Sequence, residues 1–183
     1  QDALDEWERC APILHAVSDQ LNNGEIAGMA FDPREALAPL PRAYQWIDGS
    51  GYMVHLDRVR TLKGSHDTEL QDERPLMYQG GSDSFVAPMA PIVVPEDGLA
   101  VDFEAEVVVV IGHVLMRPSR EDASAAIRLI GICNDVSLRK LVLNDLQNGF
   151  GFFHAKPATS FAPIFVTPDE LGESWKDNRL HLK

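Results

Sequence analysis

Two glutamates two positions apart in a β-rich run are the residues of this chain best placed to do chemistry. They are Glu104 and Glu106, within Leu99-Ala-Val-Asp-Phe-Glu-Ala-Glu-Val-Val-Val-Val-Ile-Gly112. The apolar run 108–111 fits a strand covered on both faces. In an extended chain, alternate side chains share a face. Asp102, Glu104, Glu106, Val108 and Val110 then lie on one side, and Phe103, Ala105, Val107 and Val109 on the other. The two glutamates stand about 6–7 Å apart along such a strand. Like charges that close among apolar residues repel unless a proton or a cation lies between them. A divalent metal bound by oxygen ligands accounts for the pair; an edge strand with an acidic face open to solvent is the alternative.

Three further ionisable residues fall where elements end or begin, the usual place for working residues on a rigid scaffold. Asp48 follows the apolar run 43–47 and precedes Gly49, so it reads either as a site residue or as a plain Asp-Gly turn. Asp135, in Asn134-Asp-Val-Ser137, closes the run 131–136 and could equally help to start a helix. His55 lies seven residues after Asp48, on a helix where a surface position is the ordinary reading. His15, His66, His113, His154 and His181 show no ligand spacing with one another. His-Glu-x-x-His, Cys-x-x-Cys, Gly-x-Ser-x-Gly and phosphate-loop motifs are all missing, which leaves zinc and nucleotide chemistry without support.

The elements that must position these residues are mostly short strands. A helix is expected over 3–21, with Leu4, Trp7, Ala11, Leu14, Val17 and Leu21 at helical spacing and Asn22-Asn-Gly24 as its stop. Residues 25–42, with Pro33, Pro39 and Pro41, read as an irregular connection. A strand over 43–47, a break at Asp48-Gly-Ser-Gly51 and a helix over 52–63 follow; residues 64–74 are charged and read as a mobile connection. Strands are expected over 75–79, 92–94, 99–112, 131–136 and 159–166. Ser119 with Asp122 marks a helix start, for a helix running to about Leu129, and a last helix is expected over 137–147. This pattern predicts an α+β, mainly β architecture.

The balance of 16 basic against 28 acidic residues, net charge -12, argues against a nucleic-acid or anionic-membrane partner. No long uncharged apolar run suggests a membrane span. Cys10 and Cys133 have no framework spacing, so a reducing, cytoplasmic setting is expected. Gln1 opens directly into the helix and Arg179-Leu-His-Leu-Lys183 alternates like the start of a strand, so a fragment of something longer, cut at both ends, is expected.

Taken in order, Tyr78 in Pro-Leu-Met-Tyr-Gln-Gly, the Glu-x-Glu strand, Asn-Asp-Val-Ser-Leu-Arg139, and Lys156 before Thr159-Ser-Phe-Ala-Pro form a series that resembles the fumarylacetoacetate hydrolase family over most of residues 39–175. The resemblance implies a mixed β-sandwich or β-roll of that family's C-terminal-domain type over 39–183, preceded by a helix and connecting segment over 1–38, with the rest of the domain absent. It also implies a homodimer acting on a small keto acid. Glu104, Glu106 and Asp135 match the family's metal carboxylates, and Asp48, seven residues before the histidine His55, matches the fourth. The ion implied is Mg²⁺ or Ca²⁺, with Mn²⁺ as an alternative. His55 matches the general base and Lys156 the lysine near the oxyanion, with Ser160 four positions on; Tyr78 and Arg139 fall at substrate-contacting places. Asp102 has no counterpart among the ligands. Ser50 stands where the hydrolases have a tyrosine, Val142 where they have a glutamine, and the family's arginine after the histidine has only the nearby Arg60 to match it. These departures concern substrate recognition.

The activity implied is hydrolysis of a carbon–carbon bond in a 1,3-diketo acid such as fumarylacetoacetate or an acylpyruvate. Two other readings stay open: a hydratase, decarboxylase or isomerase of 2-oxo acids built on the same carboxylates, and a non-catalytic metal-binding domain.

Overall fold

The computed structural model describes residues 1–40, 43–63 and 75–181. The charged stretch 64–74, Pro41 and Lys183 lie outside the described residues, as do the side chains of Val59, Arg60 and Leu62. Among the described residues, helices and short antiparallel strands alternate, as an α+β chain requires.

The N-terminal apolar spacing forms α1 (Asp2–Asp5) and α2 (Trp7–Asn22). The helix stops where Gly24 takes a φ of 71° and its N–H donates to the carbonyl of Leu21, a conformation glycine adopts without a Cβ penalty. Its apolar stripe is only partly covered, since Leu14, Val17 and Leu21 remain exposed. One ion pair, Arg128 Nη2 to Glu8 Oε1 at 2.8 Å, ties it to the sheet. No described helix is long and apolar enough to cross a membrane.

β1 (Trp46–Ser50) pairs antiparallel with β2 (Leu76–Gly80), and α3 (Met53–Lys63) follows β1. The strand thus begins three residues later than expected and runs through Asp48-Gly49. Pairing with β2 overrides the turn preference of Asp-Gly, and Asp48 sits mid-strand opposite Tyr78. Gly80 is required where it is: a Cβ there would lie 2.6 Å from Trp46 Cδ1.

The expected long acidic strand is two strands. β3 (Val101–Asp102) pairs with β6 (Ser137–Leu138), while β4 (Ala105–Ile111) pairs with β5 (Ile127–Asn134). Phe103 and Glu104 form the break, where the chain changes partners. There the N–H of Glu104 donates to Asn134 Oδ1 (3.1 Å), and the N–H of Asp135 donates to the carbonyl of Glu104 (2.9 Å). β5 pairs on its other side with β7 (Ser160–Phe161), giving the order β4-β5-β7.

Other boundaries differ from expectation for local reasons. Residues 92–94 form no strand, because Pro91 and Pro95 bracket them and remove backbone donors. The capping box of Ser119 and Asp122 starts α4 (Arg120–Ala125) as expected, but the helix ends early because Ile127 already pairs with β4. α5 (Arg139–Gln147) begins after β6. The expected strand over 159–166 survives as β7 and a bridge at Val166, with Pro163 between. At the end of the chain, β8 (Trp175–Lys176) and β9 (Arg179–Leu180) form a hairpin.

The core is aromatic. Val108, Cys133 and Phe161 are buried together, with Trp46, Phe85 and Phe165 packed against them. Trp46, Phe85 and Phe161 meet edge to face with centroids 4.9–5.7 Å apart, contacts that add about 0.5–1.5 kcal/mol each beyond area burial. Cover on both faces does not extend along β4: Val109 and Ile111 are exposed while Val108 is buried. Phe165 lies on Gly131, whose Cβ would meet the ring at 2.6–2.7 Å. Gly131→Ala should therefore destabilise the fold by about 1–3 kcal/mol through overpacking, read as a lower urea midpoint with an unchanged slope.

Candidate active site

The structure brings Asp48, Tyr78, Glu104, Glu106, Asp135, Arg139 and Lys156 into one neighbourhood. Several elements place them. Asp48 and Tyr78 face each other across β1 and β2. Glu104 sits at the break between β3 and β4, Glu106 on β4, Asp135 in the link from β5 to β6, and Arg139 at the start of α5. The link is deeply buried, with Asp135 only 1% exposed and Val136, Ser137 and Leu138 buried beside it.

At the centre is the ammonium of Lys156. It donates to Glu104 Oε2 and to Asp135 Oδ2, both at 2.6 Å. Tyr78 also donates its hydroxyl proton to Asp135 Oδ2, at 2.8 Å, and the ammonium stands 5.6 Å from the Tyr78 ring centroid. The other oxygen of Glu104 is taken by Arg139 Nη2, and Arg139 Nε donates to Asp102 Oδ2 at 2.7 Å. Arg139 is thus a clamp on Glu104 and Asp102 at the more exposed rim.

The charges are unequal. Burial and then the contact and charge of the Asp135 carboxyl raise the Asp48 pKa to about 6, with Lys156 opposing. Glu106 rises too, first through burial and then through the charges of Glu104 and Asp135. Burial pushes Lys156 down, but its hydrogen bonds to Asp135 and Glu104 outweigh this and leave it raised. The Tyr78 hydroxyl is held far above its ordinary range by burial and the Asp135 charge, so it serves only as a proton donor in a hydrogen bond. Burial likewise lifts the Cys133 thiol to about 12, making it an inert core residue. Four carboxylates surround one buried ammonium, and cation is in deficit.

The donor set suits a hard divalent ion in kind: carboxylate oxygens, surplus negative charge, and a buried Asp135 Oδ1 that accepts no hydrogen bond. It is not a finished coordination shell. Among the described residues, no three His, Cys, Asp or Glu side chains are arranged to hold a metal ion. Both oxygens of Glu104 are engaged by cations, whereas Glu106 makes no hydrogen bond or ion pair among the described residues. His55 is exposed on α3 and makes no polar contact with the cluster among the described residues. Ser160 pairs with Asn134 across β7 and β5. Asn134, which holds the Glu104 backbone, is signalled in the sequence only by its place in the Asn-Asp motif.

Comparisons with known proteins identify the family and the fold. Residues 45–183 match the family model described as Fumarylacetoacetate (FAA) hydrolase C-terminal, and residues 1–42 match Fumarylacetoacetase N-terminal domain 2. The chain belongs to the fumarylacetoacetate hydrolase family. It is 32% identical over 111 residues to a 2,4-didehydro-3-deoxy-L-rhamnonate hydrolase of Sphingomonas sp. (strain SKA58), covering 59% of this chain and 38% of that protein. It is 30% identical over 104 residues to a mitochondrial oxaloacetate tautomerase of Xenopus laevis, covering 55% and 32%. The chain therefore spans well under half the length of these relatives. Among solved structures, a family protein of Yersinia pestis CO92 aligns with a TM-score of 0.61 at 20% identity, over 85% of this chain and 72% of that one. A fumarylacetoacetate hydrolase of Exiguobacterium antarcticum aligns with a TM-score of 0.56 at 24% identity, over 78% and 52%. These alignments establish the fold as that of the family's C-terminal domain.

The raised pKa of Asp48 has a consequence for stability. The folded protein binds this proton more tightly than the unfolded chain, so stability is lost as pH rises from about 4 to about 6. Asp48→Asn should be more stable than the parent above pH 6, and the advantage should vanish toward pH 4. Thermal melting of the two proteins across that range measures it.

Proposed function

We propose that the protein is a hydrolase of a carbon–carbon bond in a 1,3-diketo acid of the acylpyruvate kind. The observation that carries this reading is the buried Lys156 ammonium, held between Glu104 and Asp135 next to the Tyr78 ring. Attack of water on a ketone carbonyl places negative charge on oxygen, and a fixed cation in a half-dry site is suited to receive it. Tyr78 holds Asp135, and Arg139 holds Glu104, so the two carboxylates that fix the ammonium are themselves fixed.

Asp48, Glu104, Glu106 and Asp135 would hold a Mg²⁺ or Ca²⁺ ion. Such an ion, when bound, supplies Lewis-acid stabilisation of the substrate's enolate and carboxylate oxygens. Glu104 would reach it only by loosening one of its two cationic partners, whereas Glu106 and Asp135 Oδ1 are free to do so. His55 takes the proton from the attacking water in this reading, a role worth about 10²–10⁴-fold in rate. The reading also makes the protein a reduced, cytoplasmic homodimer.

The exposed position of His55 favours a second reading. Keto–enol conversion of a 2-oxo diacid, the activity named for the Xenopus relative, needs enolate stabilisation but no activated water. Assays of the intact protein on acylpyruvates and on oxaloacetate separate the two. Cleavage of an acylpyruvate is expected; tautomerisation of oxaloacetate without cleavage would replace the first reading with the second. Mg²⁺ bound in calorimetry without turnover of either would make this a metal-binding domain.

Within the hydrolase reading, His55→Ala should abolish turnover with metal affinity intact, and Glu106→Ala should lose both together. Lys156→Met should lower kcat by about 10²–10³-fold. Steady-state kinetics with titration calorimetry would show this, and full activity in His55→Ala would remove the base from that residue.

A further inference from the structure

Tyr78 and Lys156 also line a cavity of about 390 Å³, whose other walls include Asp145 on α5 and Phe152 and His154 from the loop that follows it. Phe152 meets the Tyr78 ring edge to face at 5.0 Å, so this wall is continuous with the carboxylate cluster. Asp145 is the one buried residue of α5, only 5% exposed. Its Oδ2 is buried and has no hydrogen-bond partner. Its Oδ1 faces the Nδ1 of His154 at 3.7 Å, and the imidazole itself is 77% exposed.

An ionised carboxylate buried without donors is costly, and structural roles usually supply it with some. Asp145 caps nothing and pairs with no lysine or arginine among the described residues; the imidazole is the group it meets. At 3.7 Å the pair is an ion-pair contact longer than a hydrogen bond, and a small turn of the exposed ring would bring Nδ1 onto the carboxylate, the contact by which a buried acid orients an acid–base histidine. With Nδ1 turned to Asp145, Nε2 is left to exchange a proton with a molecule in the cavity.

We propose that His154 is a second acid–base residue of the site and that Asp145 is its positioning residue, an inference that rests on the hydrolase reading above. The step is protonation of the departing fragment. As the carbon–carbon bond breaks, its electron pair becomes the enolate of a 2-oxo acid. That pair takes the Nε2 proton of the His154 imidazolium, forming a C–H bond as the N–H bond breaks and leaving the ring neutral with its proton on Nδ1. The imidazole regains a proton from solvent through its exposed edge. The hydroxyl of the attacking water stays on the acyl product, and the other proton of that water leaves through His55, so charge and protons balance.

The test uses the intact protein, with acetylpyruvate as probe, and the variants His154→Gln and Asp145→Asn. His154→Gln should lower kcat by about 10²-fold or more with KM changed little, and imidazole added to the buffer should restore part of the loss. A purely structural histidine would show no such rescue. Asp145→Asn should lower kcat by a smaller factor. In ¹⁵N NMR, the neutral His154 ring should be protonated on Nδ1 in the parent and move to Nε2 protonation in Asp145→Asn. An unchanged kcat in His154→Gln, or the same tautomer in both proteins, would overturn the proposal. If the parent fails to cleave acetylpyruvate while the tautomer changes as expected, the hydrolase reading fails and the His154–Asp145 pair stands.

Discussion

The ammonium of Lys156 is the group on which the rest of this site depends. Taking it from water is expensive, and attraction to one carboxylate would barely offset the cost. Two short hydrogen bonds, to Glu104 and Asp135, reverse the balance and leave the lysine firmly protonated. Glu104 lies in the break between β3 and β4 and Asp135 in the facing link from β5 to β6, so the break in the β3–β4 run is part of the same arrangement. The N–H of Asp135 still follows the β4–β5 register when it donates to the carbonyl of Glu104, but in a continuous strand the N–H of Glu104 would donate to the backbone of Asp135 rather than to Asn134 Oδ1.

The cluster remains short of positive charge even with its lysine. Asp48 and Glu106 are both raised, and Asp135 keeps a buried oxygen without a donor. The fold therefore holds a surplus of negative charge that would relax on binding a cation or taking up a proton. Stability and function pull apart here. A neutral residue at Asp48 would ease the repulsion, yet the same repulsion would favour the cation proposed for the site.

Much of this is legible in the amino-acid sequence. The fold class, the helix with its glycine stop and the Ser119 capping box are readable from spacing, and the convergence of Asp48, Tyr78, Glu104, Glu106, Asp135 and Lys156 is what the family resemblance implies. The differences have common causes. Asp48-Gly49 reads locally as a turn, but β2 supplies a partner and extends the strand through it. The run 92–94 reads as a strand until its flanking prolines are weighed. The acidic strand reads as continuous because the periodicity of two survives a change of partner that only tertiary pairing reveals. Asp145 carries no signal at all: an aspartate in a polar helix looks exposed, yet it is only 5% exposed.

By spacing, the Glu-x-Glu motif holds two equivalent ligands, and the structure divides them. Glu104 lies at the break, with both oxygens committed to Arg139 and Lys156. Its carboxylate is satisfied, and its first task is to hold two cations in place. Glu106 sits two residues on, within the regular part of β4 opposite Cys133, half-buried and without a polar partner among the described residues. Burial and the charges of Glu104 and Asp135 raise its pKa, outweighing the opposing charge of Lys156, with which it makes no direct contact. An unpaired, half-buried carboxylate beside a buried orphan oxygen is the natural landing place for a positively charged ligand, while a doubly paired one is a fixed strut. Spacing alone could not separate these roles, because the two side chains share a face. Only the partner change at Phe103-Glu104 gives one of them the lysine and leaves the other waiting.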